Sequence, residues 1–239
     1  MSLLSDARIL ASMARGLPRR GTHSDALARF YGPQADRYDA FRERLLHGRD
    51  SLVSRLPVAA GDHVVELGGG TGRNLDFFGA RLDLAARVDL VDLCPPLLEI
   101  AARRAAGRPN VRVVTADATS YRPDRPADCV YFSYALTMIP DWRAAVHNAI
   151  GMLRPGGTIG VVDFYVSEAR PEAGLARHGW LTRNGWPAWF RHDGVHLSAD
   201  HLPYLRERVH TVDLQEHRAR VPYVPVVTVP YYVFIGRKA

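Results

Sequence analysis

Short runs of β-branched residues alternate with helical stretches from residue 63 onward. They predict five strands, at residues 63–67, 87–92, 111–115, 128–133 and 158–164. Helices are predicted between them, one beginning at Pro95 and one covering about residues 141–153. This alternation is typical of a mostly parallel sheet with helices on both faces. Ligands of such sheets bind at the carboxyl ends of the strands.

The regular pattern stops after the fifth strand. Residues 165–198 contain three tryptophans and two prolines without clear periodicity, so we predict an irregular substrate loop there. A short helix capped by Ser198 and ending near Arg208 follows. Strands at residues 209–216 and 231–237 are predicted to complete a sheet of seven strands as a C-terminal antiparallel hairpin.

The residues before the first strand predict a helical lid preceded by an arm. Apolar positions at helical spacing indicate a helix over about residues 34–56. We therefore divide the chain into an N-terminal arm at residues 1–33 and a single domain at residues 34–239. Within the arm, residues 2–17 also have helical spacing, with arginines nearby. That pattern is equally compatible with a helix lying on a membrane, a helix packed on the domain and a frayed terminus.

The composition is that of an ordinary globular protein with an excess of basic residues. Of the 239 residues, 47% are hydrophobic and 23% are charged. No apolar run approaches the roughly 20 residues that are needed to cross a bilayer. The net charge of +6 indicates an anionic partner, either nucleic acid or an anionic membrane surface. Cys94 and Cys129 lie far apart in sequence, which fits a reducing cytoplasm.

A glycine-rich turn joins the first strand to the next helix. Glu66 lies near the end of the strand, and Gly68, Gly70 and Gly72 follow at every second position. Alternate glycines allow a sharp turn and let a ligand contact bare backbone at a helix N-terminus. A turn without a ligand is the alternative interpretation of the glycines alone. A dinucleotide fingerprint would have its third glycine where this chain has Arg73, so the spacing instead resembles the first motif of class I S-adenosylmethionine methyltransferases.

Acidic residues follow two further strands of the predicted sheet. Asp92 ends the second strand, where a carboxylate can accept both hydroxyls of a ribose, and Asp89 is a weaker candidate in the same strand. Asp117 follows the third strand, where it could accept a hydrogen bond from an adenine amino group between apolar neighbours. Acidic residues suit S-adenosylmethionine, which carries an ammonium group and a cationic sulfur. We therefore expect S-adenosylmethionine as cofactor and S-adenosylhomocysteine as product.

The expected cofactor site combines these residues with those that the methyltransferase resemblance adds. Its members are Arg49, Glu66, Gly68, Gly70, Asp92, Leu93, Asp117, Ala118 and Ser133. Arg49 is expected to bind the carboxylate of the cofactor.

Several segments resemble the betaine-lipid N-methyltransferases, which trimethylate the amino group of diacylglyceryl homoserine. They lie at residues 30–42, 45–49, 133–142, 160–165, 189–195 and 230–238. The resemblance covers nearly the whole chain after about residue 29. The segment after the fourth strand begins Ser133-Tyr134-Ala135-Leu136 and lacks the Asn/Asp-Pro-Pro-aromatic motif of one branch of nucleic-acid methyltransferases. No nucleic-acid partner is therefore expected.

The resemblance implies an acceptor site with aromatic and basic side chains. Its expected catalytic residues are Tyr31, Tyr38, Tyr134 and Asp163. Its expected substrate residues are Tyr165, Arg177, Trp189, Arg191, His192 and Asp193. Aromatic faces attract the cation that methylation creates, and an arginine suits the carboxylate of homoserine. Each tyrosine is also compatible with an ordinary place in the core.

The sequence thus predicts a Rossmann-like α/β methyltransferase that acts on a lipid headgroup. It would be cytoplasmic, peripherally associated with an anionic membrane surface, and free of metal. Phosphatidylethanolamine and a soluble amine are alternative acceptors. A regulatory or RNA-associated protein that binds S-adenosylmethionine without turnover is the alternative from another functional class.

Overall fold

A computed structural model of the chain describes residues 22–31, 43–191, 194–221 and 224–239. The strands in these ranges are β1 (His63–Leu67), β2 (Arg87–Asp92), β3 (Val111–Thr115), β4 (Ala127–Ser133), β5 (Leu153–Phe164), β6 (His210–Val221) and β7 (Val224–Arg237). They form one sheet in the order β3-β2-β1-β4-β5-β7-β6. The first five strands are parallel, and β7 is antiparallel to both β5 and β6. The predicted fold class is confirmed.

Helices cover both faces of the sheet. They are α1 (His23–Tyr31), α2 (Arg49–Arg55), α3 (Leu75–Phe78), α4 (Pro95–Ala105), α5 (Trp142–Met152), α6 (Trp180–Phe190) and α7 (His201–Arg208). Consecutive residues of a strand point to opposite faces, so Val64 packs in one hydrophobic cluster with Leu52, while Val65 packs in the other with Trp142. Within the described ranges, no helix is long and apolar enough to cross a membrane.

The helix predicted over residues 34–56 is confirmed at residues 49–55 and wrong at residues 43–48. Residues 43–48 form turns, and α2 begins only at Arg49. The cause is Gly48, which has a φ of 80° and lies so close to β7 that a Cβ atom would be 2.6 Å from Tyr231 Cε2. A residue that adopts the left-handed backbone conformation cannot continue a right-handed helix, and only glycine fits so close to Tyr231.

Helix α1 is a short element that we did not predict separately from the arm. A capping box begins it, because Thr22 N–H donates to Asp25 Oδ2 at 3.0 Å and Asp25 N–H donates to Thr22 Oγ1 at 3.2 Å. The Ser24 hydroxyl donates to the carbonyl of Leu93 at 2.8 Å, which attaches α1 to the loop after β2. The predicted helix at residues 2–17 lies outside the described residues.

The region predicted as an irregular loop contains the regular helix α6. Its Trp186 and Phe190 lie one turn apart and pack on the core, whereas Trp180, Leu181 and Trp189 are exposed. Because large apolar residues lie on both faces of α6, the sequence lacks the one-sided apolar stripe that identifies an amphipathic helix. The helix was therefore not predicted. Downstream, α7 begins at His201 rather than directly after Ser198, and the antiparallel hairpin is longer than predicted.

A buried carboxylate supports the glycine-rich turn from behind. Glu66 is fully buried near the end of β1, where it accepts hydrogen bonds from Asn74 Nδ2 at 2.6 Å and from the Tyr131 hydroxyl at 2.8 Å. Asn74 immediately precedes α3 and Tyr131 lies in β4, so one side chain connects three elements. Burial raises the pKa of Glu66 to about 7, although both hydrogen bonds act in the opposite direction.

This raised pKa predicts how stability depends on pH. A carboxyl whose pKa is higher in the folded protein stabilises the fold below its ordinary pKa of 4.5, and this contribution is lost as the pH rises towards 7. We expect the free energy of unfolding of the cofactor-free protein to fall over that interval. Glu66→Gln should weaken the dependence, because glutamine remains neutral. Urea titrations at several pH values measure it.

Glu207→Gln is the matched control, because its side chain is 73% exposed. It should keep the wild-type dependence on pH. If Glu66→Gln also keeps the full wild-type slope, the Glu66 carboxyl does not titrate in this interval.

Candidate functional site

A cavity of about 320 Å³ lies where β3, β2, β1 and β4 end at one edge of the sheet. This volume lies in the range of small-molecule sites, and the edge is the one at which parallel sheets bind their ligands. Nine of the predicted site residues line it: Arg49, Gly68, Gly70, Asp92, Leu93, Asp117, Ala118, Ser133 and Tyr134. The structure therefore brings together most of the expected cofactor site.

The glycine-rich turn forms the floor of the cavity with bare backbone. Gly68 and Gly70 have φ values of 75° and 53°, which favour glycine. A Cβ atom on Gly68 would be 2.5 Å from the Cβ of Ala135, so no side chain fits there. At Gly70 the nearest atom to a Cβ would be Leu97 Cδ1 at 3.7 Å, so the space above this residue is open for a ligand.

Asp92 is held in place by the backbone around it. Its Oδ2 accepts the Gly70 N–H at 2.8 Å, and its Oδ1 accepts the Cys94 N–H at 2.8 Å. These two bonds fix the orientation of the carboxylate at the cavity edge of β2, where a ligand hydroxyl can approach it. Asp89, the weaker candidate for binding a ribose, is fully buried and does not line the cavity. Its assignment to the cofactor site is therefore wrong. Burial alone would raise the Asp89 pKa, but hydrogen bonds, first among them that of His63, lower it to about 2.

Asp117 occupies the corresponding place after β3. Its Oδ1 accepts hydrogen bonds from the Thr119 N–H at 2.8 Å and from the Thr119 hydroxyl at 2.7 Å. The flanking Ala116 and Ala118 are apolar and also line the cavity. This part of the site suits a flat ring with a polar edge. The sequence identified the acid but not the contribution of Thr119.

Ser133 and Tyr134 form the wall at the end of β4. The Ser133 hydroxyl is buried and has no hydrogen-bond partner among the described residues, which marks a place for a polar ligand group. Tyr134 has a φ of 53°, a strained value for a residue with a side chain. Its hydroxyl donates to the carbonyl of His47 at 2.6 Å, and its ring meets the edge of Phe164 at 4.6 Å between centroids. Burial raises the pKa of Tyr134 well above its usual value.

Residues from outside the sheet also line the cavity, among them Arg49. Arg49 is only 7% exposed, and its Nε donates to the carbonyl of Leu46 at 3.3 Å. A buried guanidinium beside a cavity suits a carboxylate. Leu27 of α1 also lines the cavity, as do Met138 and Ile139 after β4. We did not predict these three apolar residues, because only the folded chain places them at the site.

Two predicted site residues support the cavity from behind. Glu66 does not line it but fixes the glycine-rich turn. Asp163 is fully buried and accepts the Thr137 N–H at 3.1 Å and the Thr137 hydroxyl at 2.8 Å. Burial raises the pKa of Asp163 to about 7. In this position Asp163 orients the turn that follows Tyr134 and does not line the cavity, contrary to its expected catalytic role.

Other predicted substrate residues lie outside the cavity lining. The Tyr165 hydroxyl is hydrogen-bonded to Glu216, and its ring packs against His178. Exposed positions are occupied by Arg177, Trp189 and Arg191. Three further predicted residues, Tyr38, His192 and Asp193, lie outside the described residues. The side chain of Tyr31 lies outside the described part as well.

The cavity residues fit S-adenosylmethionine as a set. Asp92 and Asp117 are acceptors for the hydroxyl and amino groups of its nucleoside, and Arg49 can pair with its carboxylate. The open backbone at Gly70 and the unpartnered hydroxyl of Ser133 offer further polar contacts. The phosphates of a nucleotide would instead be repelled by the carboxylates of Asp92 and Asp117 at this edge.

Comparisons of the sequence with known proteins point the same way. Residues 64–157 match the family model of a methyltransferase domain. The trans-aconitate 2-methyltransferase of Methylobacterium radiotolerans is 30% identical over 124 residues, which are 52% of this chain and 46% of that protein. The demethylmenaquinone methyltransferase of Clavibacter sepedonicus is 30% identical over 149 residues, or 60% of this chain and 58% of that protein. The chain thus spans about half the length of these curated relatives.

Solved structures share the fold at low sequence identity. The N-methyltransferase NodS from Bradyrhizobium japonicum, in complex with S-adenosylhomocysteine, has a TM-score of 0.65 at 15% identity and covers 91% of this chain and 99% of its own. The phosphoethanolamine N-methyltransferase 2 of Haemonchus contortus, in complex with S-adenosylmethionine, has a TM-score of 0.67 at 14% identity. It covers 92% of this chain and 60% of its own.

The family match contains the glycine-rich turn and both strand-end acids that line the cavity. S-adenosylmethionine is the cofactor of this site. Residues 64–157 accordingly form a methyltransferase domain, and the cavity is its cofactor site.

Proposed function

We propose that this chain transfers methyl groups from S-adenosylmethionine to the amino group of a lipid headgroup. The proposed acceptor is diacylglyceryl homoserine, and the proposed product is its trimethylated betaine. The observation that carries the proposal is the position of Tyr134, whose strained backbone holds an aromatic ring at the wall of the cofactor cavity. Aromatic faces stabilise the cation that N-methylation produces.

The side chains around the cavity would bind and orient the reactants. When bound, S-adenosylmethionine supplies an electrophilic methyl group on a sulfonium. Asp92, Asp117 and Arg49 would fix the cofactor, so that positioning accounts for most of the rate. The hydroxyl proton of Tyr134 is donated to the His47 carbonyl, which leaves the hydroxyl oxygen as an acceptor for an N–H of the incoming amine. The attacking amine must be neutral.

The choice of acceptor rests on the resemblance to betaine-lipid N-methyltransferases. Two structural neighbours are named N-methyltransferases, which agrees with an amine acceptor. The curated relatives are named for trans-aconitate and for demethylmenaquinone, neither of which offers an amine. A direct assay should therefore include both kinds of acceptor.

The deciding experiment is transfer of a labelled methyl group from S-adenosylmethionine to a panel of acceptors. The panel contains diacylglyceryl homoserine, phosphatidylethanolamine, free homoserine, trans-aconitate and demethylmenaquinone. We expect label in the homoserine lipid, identified by lipid chromatography. Label only in trans-aconitate or the quinone would exclude an amine acceptor, and label only in free homoserine would exclude a lipid one.

Asp92 should dominate cofactor affinity. Asp92→Ala removes two charge-assisted hydrogen bonds, each of which contributes roughly 1.5–3 kcal/mol, so we expect the affinity for S-adenosylmethionine to fall about 100-fold or more. Gly70→Val should abolish binding, because its side chain would enter the open space above the turn. Isothermal titration calorimetry measures both, with the exposed Glu207→Ala as control. Wild-type affinity in Asp92→Ala and Gly70→Val would show that the cofactor binds elsewhere.

Tyr134 should matter most in the last methyl transfer. Each added methyl removes a hydrogen-bond donor from the nitrogen, so the final step depends on aromatic and apolar contacts. Tyr134→Ala should therefore accumulate mono- and dimethylated lipid, with the first transfer less affected. Tyr134→Phe is the matched control, because it retains the ring and loses only the hydrogen bond to His47. Mass spectrometry of the lipid products distinguishes the species.

A phenylalanine variant that stalls on unmethylated lipid would contradict this assignment. The hydroxyl of Tyr134, rather than its ring, would then be the group that the reaction needs.

A further inference from the structure

Helix α6 presents an apolar face to solvent. Trp180, Leu181 and Trp189 are 68%, 77% and 66% exposed. At 3.6 residues per turn these three share one half of the helix surface with Asn184, Gly185 and Ala188. All six residues are exposed, and none of them is charged. An exposed helix face ordinarily carries charged and polar side chains, so this face requires an explanation.

The opposite face of α6 fixes the helix in this orientation. The Phe190 ring lies 5.2 Å from the Phe164 ring and 5.5 Å from the Trp186 ring, between centroids. The Trp186 indole N–H donates to the carbonyl of Thr228 at 3.2 Å. Because these side chains form part of the hydrophobic core, α6 cannot rotate to hide Trp180 and Leu181.

Exposed arginines flank the apolar face at both ends of the helix. Residues 173–191 contain three arginines and no aspartate or glutamate. Arg177 precedes the helix and Arg191 follows it, and both are exposed. Arg220, also exposed, is the register partner of Thr228, whose carbonyl accepts the hydrogen bond from Trp186.

We propose that α6 is an interfacial helix that inserts Trp180, Leu181 and Trp189 into the headgroup layer of an anionic membrane. The inference that the membrane presents the acceptor rests on the lipid-headgroup function proposed above. Tryptophan prefers the interface between water and hydrocarbon, and exposed arginines are attracted to anionic lipids. Pairing of this face with a second copy of the chain is disfavoured, because a symmetric contact would bring like-charged arginines together.

The inward face of the helix packs close to the cavity wall at Tyr134. Phe190 of α6 contacts Phe164, and the Phe164 ring meets the Tyr134 ring at 4.6 Å between centroids. Tyr134 lines the cavity. The membrane-facing helix is therefore separated by one aromatic layer from the wall that we assign to the acceptor.

The test is binding of the full chain to vesicles. One set contains phosphatidylcholine and phosphatidylglycerol in equal amounts, and the other contains phosphatidylcholine alone. Wild type should sediment with the anionic vesicles, less so at high salt, and its tryptophan fluorescence should shift to the blue. Leu181→Asp should weaken binding at least about tenfold. Leu84→Asp is the matched control, because Leu84 is an exposed leucine at 47% on another part of the fold, and it should bind as wild type does.

The outcomes separate this proposal from the proposed function. Leu181→Asp should lose methyl transfer to lipid in vesicles while retaining transfer to the same lipid in detergent micelles. If wild type binds vesicles through Leu181 but methylates no lipid in either form, the acceptor assignment fails and the interfacial helix remains. Wild-type vesicle binding by Leu181→Asp, or no binding by wild type, overturns the interfacial helix. A wild-type dimer that Leu181→Asp converts to a monomer, without a change in vesicle binding, also overturns it.

Discussion

The carboxylate of Glu66 is buried where β1, β4 and the start of α3 meet, and the geometry of the cofactor site depends on it. Its hydrogen bonds to Asn74 and Tyr131 hold the two ends of the glycine-rich turn at a fixed separation. The turn can then place the Gly70 N–H against Asp92, which in turn orients that carboxylate towards the cavity. Each hydrogen bond in this chain orients the next group, so a change at any one of these residues is transmitted to the cavity.

The wall of the cavity at Tyr134 is built on the same plan. Asp163, at the end of β5, holds Thr137 and thereby the turn that follows Tyr134. Two carboxylates near strand ends thus support two loops, the glycine-rich turn and the turn that follows Tyr134. The strained backbone of Tyr134 persists because the surrounding contacts determine its position, among them the hydrogen bond to His47 and the ring of Phe164.

The strands were predictable from the sequence, because parallel strands that are buried on both faces appear as short, continuous apolar runs. The cavity-lining acids Asp92 and Asp117 were predictable for a related reason, since each lies at or just after the carboxyl end of such a run. Glu66 and Asp163 show where this reasoning ends. A carboxylate at a strand end can face a ligand or turn back to its own loop, and the choice depends on distant partners such as Tyr131. Helix α6 was missed because its outward face is as apolar as its inward face.

The attachment of α1 links the shape of the cavity to a part of the chain outside the sheet. The Ser24 hydroxyl binds this helix to the loop after β2, and Leu27 lines the cavity. Ala26 and Leu27 are buried, and α1 also packs against α4. Because the same helix is bound to the Leu93 carbonyl and lines the cavity, a substitution that loosens α1 would alter the ligand cavity while leaving the seven strands paired.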